Sequence, residues 1–443
     1  MVNARLSRIL ATASVASVAI APAVAQDGAP APDTVFIFNT LLFLIMGMVV
    51  MFMSAGFCML EAGSVRSKNV AAICLKNISL YAIAGLMVWL CGYNLIYGGE
   101  AGGYIGSLAV WSADDSAPLD VGYSASSDWF FQMVFVATAA SIVSGTLAER
   151  IRVWPFFIFT AVLTGFIYPI QASWQWGGGW LSELGFSDFA GSTLVHATGG
   201  WAALAGALAL GARTGRFTSD GSPVAFYGSS MPLATLGTFI LWLGWFGFNG
   251  GSQLAMGSIS DAVAVSDIFV HTNMAAAAGV VTVLILSTLL LGKINLPMVL
   301  NGAIGGLVSI TAEPLIPAPL LGTPILTAVI VGSVGGVIVF LTMPLLESLK
   351  IDDVVGAIPA HLFCGIWGTL IVPFSNTDIS IGAQATGVAA NAIFVFGTSL
   401  VLWFLLRFTI GIRSSEAEEE IGLDLAETGA PGYDFVPVNV PAE

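Results

Sequence analysis

Residues 188–200 read DFAGSTLVHATGG, and residues 353–365 read DVVGAIPAHLFCG. Both fit the pattern D-x2-G-x4-H-x3-G, and each stands at the beginning of a long apolar run. The chain has only 3 histidines among its 443 residues, and His196 and His361 occupy the same place in the two copies. The pattern therefore indicates an internal repeat that places one imidazole inside each of two apolar segments.

The composition around these segments is that of a membrane protein. Hydrophobic residues make up 56% of the chain and charged residues 9%, and the mean hydropathy is +0.90. A soluble fold of this length would need a much more polar surface, whereas the apolar runs are long enough to cross a hydrocarbon core of roughly 30 Å. We predict an all-α polytopic membrane protein with eleven transmembrane helices. Their predicted ranges are 35–62, 70–97, 128–149, 152–170, 193–212, 230–251, 265–290, 295–311, 322–344, 354–373 and 385–411.

The basic residues fix a predicted orientation. After residue 25 they lie in or beside the odd-numbered connections or close the last helix: Arg66, Lys68, Lys76, Arg150, Arg152, Arg213, Arg216, Lys293, Lys350, Arg407 and Arg413. The even-numbered connections contain no Lys or Arg. Under the positive-inside rule the odd connections and the C-terminus are cytoplasmic, and the mature N-terminus is outside.

The N-terminal segment reads differently from the rest. Arg5 and Arg8 precede a short apolar stretch at 9–20, and residues 23–25 form an A-x-A cleavage site. We predict a cleaved signal peptide over residues 1–25, with an uncut interfacial segment as the alternative.

The two helices that carry the motif are predicted to run in opposite directions. The predicted fifth helix runs inwards and the tenth outwards, so Asp188 and Asp353 lie at opposite membrane faces, where each is also expected to cap its helix. Eight helical residues rise about 12 Å and carry each His towards the membrane centre. This arrangement is typical of inverted-topology repeats, whose site lies near the midplane. The predicted membrane domain covers residues 26–411, and a cytoplasmic tail covers 412–443. Within the membrane domain, the two five-helix halves are 35–212 and 230–373, and the long eleventh helix is 385–411.

Several chemistries are disfavoured by the residues present. No HxxxH or Cys/His cluster accompanies the histidines, so we predict no metal, and no feature suggests another cofactor. The four cysteines, all within predicted spans and without CxxC spacing, are expected to be buried apolar groups. An enzyme would need a nucleophile–base pair or a metal centre, and the sequence offers neither. The net charge of −14 argues against a nucleic-acid partner.

Aromatic residues collect at one predicted face. Phe131 and Phe135 fall near the outer end of the third helix, Trp176 in the fourth connection, and Phe248 and Ser252 at the outer end of the sixth helix. Aromatic faces attract cations by roughly 0.5–2 kcal/mol each, and a serine oxygen can accept an N–H. Together they suggest a cation recruitment site, and an interfacial aromatic belt is the alternative reading.

The chain closely resembles the ammonium transporter family (Amt/MEP/Rh), in particular its bacterial Amt type. The likeness extends from the first helix to the tail and rests on long motifs: AGFCMLEAGSVRSKN at 55–69, FFQMVFVATAA at 130–140, WGGGWL at 176–181, DFAGSTLVHATGG at 188–200, WFGFNGGS at 245–252, DDVVGAIPAH at 352–361 and GIRSSEAEEEIGLDLAETG at 411–429. The resemblance implies a multi-pass protein of the inner membrane that forms homotrimers with one pore per subunit.

The resemblance also implies residue roles at the outer side. Phe131, Trp176 and Ser252 would form the site that recruits ammonium or its analogue methylammonium. Phe135 and Phe248 would form a stacked gate beneath that site.

Deeper roles follow in the same way. His196 and His361 would be a hydrogen-bonded pair lining the conduction path, with Thr272 beside it. Asp188 would organise the entrance without touching substrate, and Asp353 is its counterpart in the second repeat.

Two positions depart from the family pattern. Thr428 stands where the tail of the family has a His, which weighs against regulation by a PII-type signal protein at the cytoplasmic face. His271 stands where Asn is more usual, and we assign it no role.

The resulting hypothesis is that ammonium is recruited, loses its proton near the gate and passes the histidines as ammonia. An ammonium receptor of the same fold is one alternative, although fused sensors of that kind carry a kinase or cyclase module and only a short acidic tail follows the last helix here. A passive gas channel of the Rh type is another, and Trp176 and Ser252 favour cation recruitment over it.

Overall fold

A computed structural model describes residues 30–433, and these residues fold as an all-helical bundle with two isolated β-bridges and no strand. Within them, nine helices are long and apolar enough to cross a membrane, and two shorter apolar helices lie among the nine. In chain order the helices are α1 (Pro32–Ser64), α2 (Ser67–Tyr97), α3 (Ala125–Thr146), α4 (Val153–Ser173), α5 (Ser192–Leu210), α6 (Met231–Gly251), α7 (Ile259–Leu291), α8 (Leu296–Ile310), α9 (Pro324–Ser348), α10 (Ile358–Leu370) and α11 (Ile381–Thr409). The predicted all-α membrane class is confirmed, the count of eleven spans stays a prediction, and the predicted signal peptide lies outside the described residues.

The helices alternate in direction, so the bundle has two distinct ends. Residues 412–433 pack at one end, where the Lys68 ammonium donates to the carbonyl oxygen of Glu419 at 2.7 Å. The backbone N–H of Thr214, just after α5, donates to the Glu419 carboxylate at 2.9 Å. We call this end the tail face and the opposite end, where Trp176 lies, the vestibule face.

The surface of the bundle is apolar and its interior holds polar groups. Phe408, Ile393 and Leu289 are 79%, 77% and 74% exposed on the long outer helices. In contrast, Gln171 and Asn391 are buried, and the Asn391 amide donates to the Gln171 side-chain oxygen at 3.0 Å. Polar groups in lipid must be satisfied internally, so this distribution is the one that a membrane environment demands.

Small residues let the helices approach closely. A Cβ added at Gly63 of α1 would lie 2.4 Å from the backbone nitrogen of Ala234 on α6. A Cβ added at Gly237 of α6 would lie 2.2 Å from the backbone nitrogen of Leu60. Such backbone-to-backbone packing replaces the hydrophobic driving force that lipid does not supply.

A buried ion cluster joins four connections at the tail face. Glu149 takes a left-handed backbone conformation, φ +69°, so α3 ends at Thr146 rather than at residue 149 as predicted. The Glu149 carboxylate accepts from Arg66 Nε at 2.5 Å and from Arg213 Nη1 at 3.0 Å. Arg213 Nε also donates to the Asp352 carboxylate at 2.8 Å. We call these four charged residues and the buried Arg150 the tail-face ion cluster.

The charges in this cluster are stabilised by one another. Burial by itself would raise the pKa of the Asp352 carboxyl, but Arg150 and Arg213 hold it well below its usual value. A carboxylate whose pKa is depressed by folding adds stability above its unfolded pKa of about 4, and that stability is lost as the pH falls further. The cluster therefore stabilises the tail face at neutral pH.

Replacing Arg213 with Ala is expected to lower the free energy of unfolding by about 3 kcal/mol, because two buried carboxylates lose a shared partner. The thermal unfolding midpoint of the detergent-purified protein measures this change. Lys293→Ala removes an exposed cation from the same face and is expected to stay within about 0.5 kcal/mol of the parent. Equal midpoints for the two variants would contradict the assigned role of Arg213.

Candidate functional site

The carboxylate of Asp188 caps the first turn of α5. Asp188 is fully buried, and its Oδ1 accepts from the backbone N–H groups of Gly191 and Ser192 at 3.0 and 2.8 Å. Its Oδ2 accepts from the backbone N–H groups of Thr193 and Leu194 at 2.7 and 2.9 Å. Four N–H groups that a helix beginning leaves without intrahelical partners are thus satisfied by one side chain.

The glycines that follow each aspartate adopt the same unusual conformation. Gly191 has φ +106° and Gly356 has φ +77°, a region in which a side chain would be strained. After each of them the chain enters a π-helical turn, Ser192–Ala197 in α5 and Ile358–Phe363 in α10. The described residues contain seven such turns, so the turn by itself does not mark a site. Each of these two holds one histidine.

The second glycine of each motif brings the two helices together. A Cβ added at Gly200 of α5 would lie 2.6 Å from the Cβ of Leu362 on α10. A Cβ added at Gly365 of α10 would lie 2.3 Å from the carbonyl oxygen of Ser192 on α5. The helices therefore cross in reciprocal contact at the level of the histidines.

Asp353 caps α10 at the tail face, but it accepts fewer hydrogen bonds than Asp188 does. Asp353 Oδ2 accepts from the backbone N–H of Ile358 at 2.7 Å, and its Oδ1 accepts from the Thr146 hydroxyl at 3.0 Å. α10 begins at Ile358, four residues later than the predicted residue 354, because Gly356 turns the chain first.

The two imidazoles meet inside the bundle. The Nδ1 atoms of His196 and His361 lie 3.3 Å apart, and the two residues are 0% and 2% exposed. One Nδ1 must carry a hydrogen and donate it while the other accepts, because two neutral imidazoles can pair only in this way. Within residues 30–433, the Nε2 of His196 has no hydrogen-bond partner. It is therefore available to a small polar molecule beside it.

Aromatic rings form a continuous column above the histidines. Phe131 meets Phe135 edge to face, with centroids 4.9 Å apart. Phe135 stacks on Phe248 at 4.1 Å, and Phe248 stacks on His196 at 5.1 Å. The column leads from the vestibule face to the imidazole pair, and the two stacked phenyl rings close it.

Trp176 and Ser252 lie half-buried at the vestibule face. The Trp176 indole N–H donates to the carbonyl oxygen of Asp188 at 3.0 Å, and its ring stands 6.2 Å from Phe135. The Ser252 hydroxyl donates to the carbonyl oxygen of Phe248 at 2.8 Å, which leaves its oxygen free to accept. A Cβ on the preceding residue, Gly251, would lie 2.5 Å from the Phe131 ring. The predicted recruitment residues thus border the top of the column.

The remaining two predicted positions lie on α7. The Thr272 hydroxyl oxygen accepts from the side-chain amide of Asn249 at 3.0 Å, and Asn249 follows Phe248 directly. His271 Nδ1 lies 2.8 Å from the carbonyl oxygen of Pro314 and must donate to it. Its partner is therefore a backbone group and not the imidazole pair.

Sequence reasoning missed two aromatic neighbours of the pair. The Trp245 indole stacks on His196 with centroids 4.8 Å apart, held by its N–H bond to the Thr311 hydroxyl at 2.9 Å. Phe57 of α1 lies 6.1 Å from the His361 ring on the tail-face side. Trp245 precedes Phe248 by one helical turn, and this spacing could have placed it on the same side of α6.

The fold and the site together define a polytopic α-helical membrane protein with a buried imidazole pair beneath a column of aromatic rings. Residues 41–433 match the sequence profile of the Ammonium Transporter Family, and the chain belongs to this family. The family is one of transporters and not of enzymes.

Individual relatives agree over most of the chain. Ammonium transporter Amt2 of Archaeoglobus fulgidus is 41% identical over 421 residues, which cover 88% of this chain and 87% of that protein. A putative ammonium transporter of Synechocystis is 38% identical over 435 residues, covering 96% of each. A solved structure named Sensor Amt Protein superposes with a TM-score of 0.81 at 36% identity, covering 88% of this chain and 98% of that one.

The unequal caps lead to a prediction about stability. Asp188→Asn is expected to lower the free energy of unfolding by about 2–3 kcal/mol, because an amide has one acceptor oxygen where four N–H groups converge. Asp353→Asn, which disturbs one backbone N–H and one hydroxyl, is expected to cost about 1 kcal/mol. Thermal unfolding in detergent compares the two variants. A larger loss for Asp353→Asn would reverse the assignment.

Proposed function

We propose that this chain conducts ammonium across a cell membrane. The cation is taken up at the vestibule face, loses its proton near the Phe135–Phe248 stack and passes the histidines as ammonia. The observation that carries the proposal is the imidazole pair, with Nδ1 atoms 3.3 Å apart, directly beneath the stacked phenyl rings.

Recruitment is supported by the chemistry of the vestibule face. Trp176 is half-buried and offers a ring face that attracts a cation. Phe131 is 1% exposed and packs against Phe43 and Phe135, so it supports the site from within. Ser252 offers an oxygen that its own bond to Phe248 leaves as an acceptor. Ammonium has four N–H donors and can use both kinds of contact. Potassium carries the same charge but has no hydrogen to donate. The vestibule therefore favours ammonium over an alkali cation, and it gives a reason to prefer cation recruitment to a passive gas channel.

Deprotonation is supported by what surrounds the histidines. The rings around His196 belong to Phe248 and Trp245, and Phe57 lies beside His361. A bare cation in such surroundings is costly, whereas neutral ammonia is not. The imidazole nitrogens supply ammonia with a donor and an acceptor along the path.

The finer architecture is part of the same proposal. We infer eleven spans in a membrane domain over residues 26–411, with α1–α5 and α6–α10 as inverted halves and α11 as an addition. The opposite positions of Asp188 and Asp353 and the basic residues of the tail face support this topology. The vestibule face would then be outside the inner membrane and the tail face cytoplasmic, after removal of residues 1–25.

Assembly and regulation are proposed from the family resemblance. The chain would form homotrimers with one passage per subunit. A PII-type protein is the candidate partner at the tail face, and Thr428, which replaces the His of the family, weighs against it. Thr428 donates to the backbone oxygen of Asp424 at 2.6 Å and so shapes the tail that such a protein would meet.

A second candidate function is that of an ammonium receptor. The likeness to the solved structure named Sensor Amt Protein is the observation that favours it. Uptake of radiolabelled methylammonium by cells that express this chain separates the two functions, because a receptor binds the analogue without accumulating it. Uptake measured with and without a membrane potential would further distinguish net movement of ammonium from that of ammonia.

Replacing both His196 and His361 with Ala is expected to lower the ammonium-elicited current in proteoliposomes by roughly tenfold or more. The path then loses hydrogen bonds of about 1–1.5 kcal/mol each to ammonia, and about 1.4 kcal/mol corresponds to a factor of ten in rate. His271→Ala is the matched control, since that ring binds the Pro314 backbone. A double variant that conducts like the parent would remove the pair from the mechanism.

Ser252→Ala is expected to raise the half-saturating ammonium concentration about fivefold while the maximal current stays near the parent value. The change removes one acceptor worth about 1 kcal/mol at a partly solvated site. Ser260→Ala, at an exposed serine of the same face, serves as the control. An unchanged half-saturating concentration in Ser252→Ala would argue against its role in recruitment.

A further inference from the structure

A buried carboxylate of α1 lies near the tail-face end of the passage. Glu61 is 1% exposed, and its Oε2 accepts from the Ser144 hydroxyl of α3 at 2.7 Å and from the Asn77 amide of α2 at 3.2 Å. Its other oxygen, Oε1, is also buried and has no hydrogen-bond partner among the described residues. Buried polar atoms are nearly always paired, so an unpaired carboxylate oxygen points to a missing ligand.

Glu61 and His361 border the same small cavity. Its volume is about 10 Å³, room for one water-sized molecule, and its lining includes both of these residues together with Phe57, Asn301 and Val355. Phe57 precedes Glu61 by one helical turn, and its ring lies 6.1 Å from that of His361. The Glu61 carboxylate therefore lies beside His361 in this cavity.

The cavity leads towards the tail face. A larger open cavity there, with a volume of about 280 Å³, shares Asn301 and Val355 with the small one and is lined by Arg213 and Asp353 as well. A small molecule that leaves His361 thus has a route to water that passes Glu61.

Among the described residues, no cation forms a close ion pair with Glu61. Lys76 is the nearest candidate, but its ammonium donates to the backbone oxygen of Ser144 at 2.9 Å and stands 5.1 Å from the centre of the Phe156 ring. Glu61 takes part in none of the ion pairs within 4.0 Å that residues 30–433 form. The Oε1 atom of Glu61 is therefore left without a fixed partner.

We propose that Glu61 forms a second substrate site, at which ammonia that has passed His361 takes up a proton and is held as ammonium. This inference rests on the proposed function. The O–H bond of the protonated carboxyl breaks as an N–H bond forms, which gives ammonium and a carboxylate. The ammonium leaves through the larger cavity, and the carboxylate regains a proton from water at the tail face.

The groups that could share this role are few. The titratable side chains facing Glu61 are Lys76 and Cys74 on α2, Cys58 on α1 itself and His361 across the cavity. The residues of α3 and α8 that line the cavity are not titratable: Ser141, Ile142, Gly145, Asn301 and Ile304. Glu61 is the one acid among these groups.

The test compares Glu61→Gln with Ser144→Ala in cells that take up radiolabelled methylammonium. Gln keeps the shape and one acceptor oxygen but can neither carry the charge nor release a proton. The maximal uptake rate of Glu61→Gln is expected to fall about a hundredfold or more, because a positioned proton donor typically contributes a factor of about 10²–10⁴. The half-saturating concentration, set at the vestibule face, is expected to stay unchanged. Ser144→Ala removes a bond to the same carboxylate but keeps its charge, and it is expected to stay within about twofold of the parent.

The outcomes separate this inference from the proposed function. A parent chain that takes up no methylammonium would overturn the proposed function itself. A parent that transports, together with a Glu61→Gln variant that transports equally well, would overturn the second site alone. If Glu61→Gln is not recovered as folded protein, Glu61→Asp decides. The shortened carboxylate is expected to shift the pH dependence of uptake, and an unshifted profile at the parent rate would overturn the site.

Discussion

The close crossing of α5 and α10 is the contact on which the rest of the structure depends. Gly200 meets Leu362 and Gly365 meets Ser192 at distances that leave no room for a side chain. Only at that separation can two imidazoles from oppositely directed helices come within 3.3 Å of each other. The same motif supplies the aspartate that begins each helix and the glycine that turns the chain into it. Every element of D-x2-G-x4-H-x3-G thus has a physical reason within one crossing.

Much of this arrangement can be predicted from the sequence, because the residues that form it are close together in the chain and the motif occurs twice. The motif predicts a capping aspartate and a buried histidine at fixed spacing, and the structure has both at each copy. The glycine turn between them was not predicted. Helix boundaries were less predictable where backbone conformation overrides hydropathy. At Glu149, φ +69° ends α3 early, and at Ser258 a capping box begins α7 at Ile259 although its first turn is polar. Helix boundaries predicted from the mean hydropathy of a stretch of residues reflect neither effect.

The contacts that sequence could not reveal join elements far apart in the chain. Trp245, Phe57 and Glu61 all lie beside the histidines or just past them, yet each sits in an ordinary apolar helix. With 28 Phe and 12 Trp in the chain, a ring on the passage cannot be told from a ring in the core by its neighbours alone. What distinguishes them is which helices cross where, and close glycine packing settles that only in three dimensions.

The carboxylates near the passage are used in unlike ways, and the difference bears on conduction. Both carboxylate oxygens of Asp188 accept hydrogen bonds, from four backbone N–H groups in all, and its carbonyl oxygen accepts from the Trp176 indole N–H. In the proposed function the vestibule would therefore attract a cation through the Trp176 ring and the Ser252 hydroxyl, and the Asp188 carboxylate would not hold it. Conduction needs binding that is strong enough to collect substrate and weak enough to release it. A free carboxylate oxygen occurs instead at Glu61, past the histidines, where a substrate that has lost its charge needs a proton and an outlet.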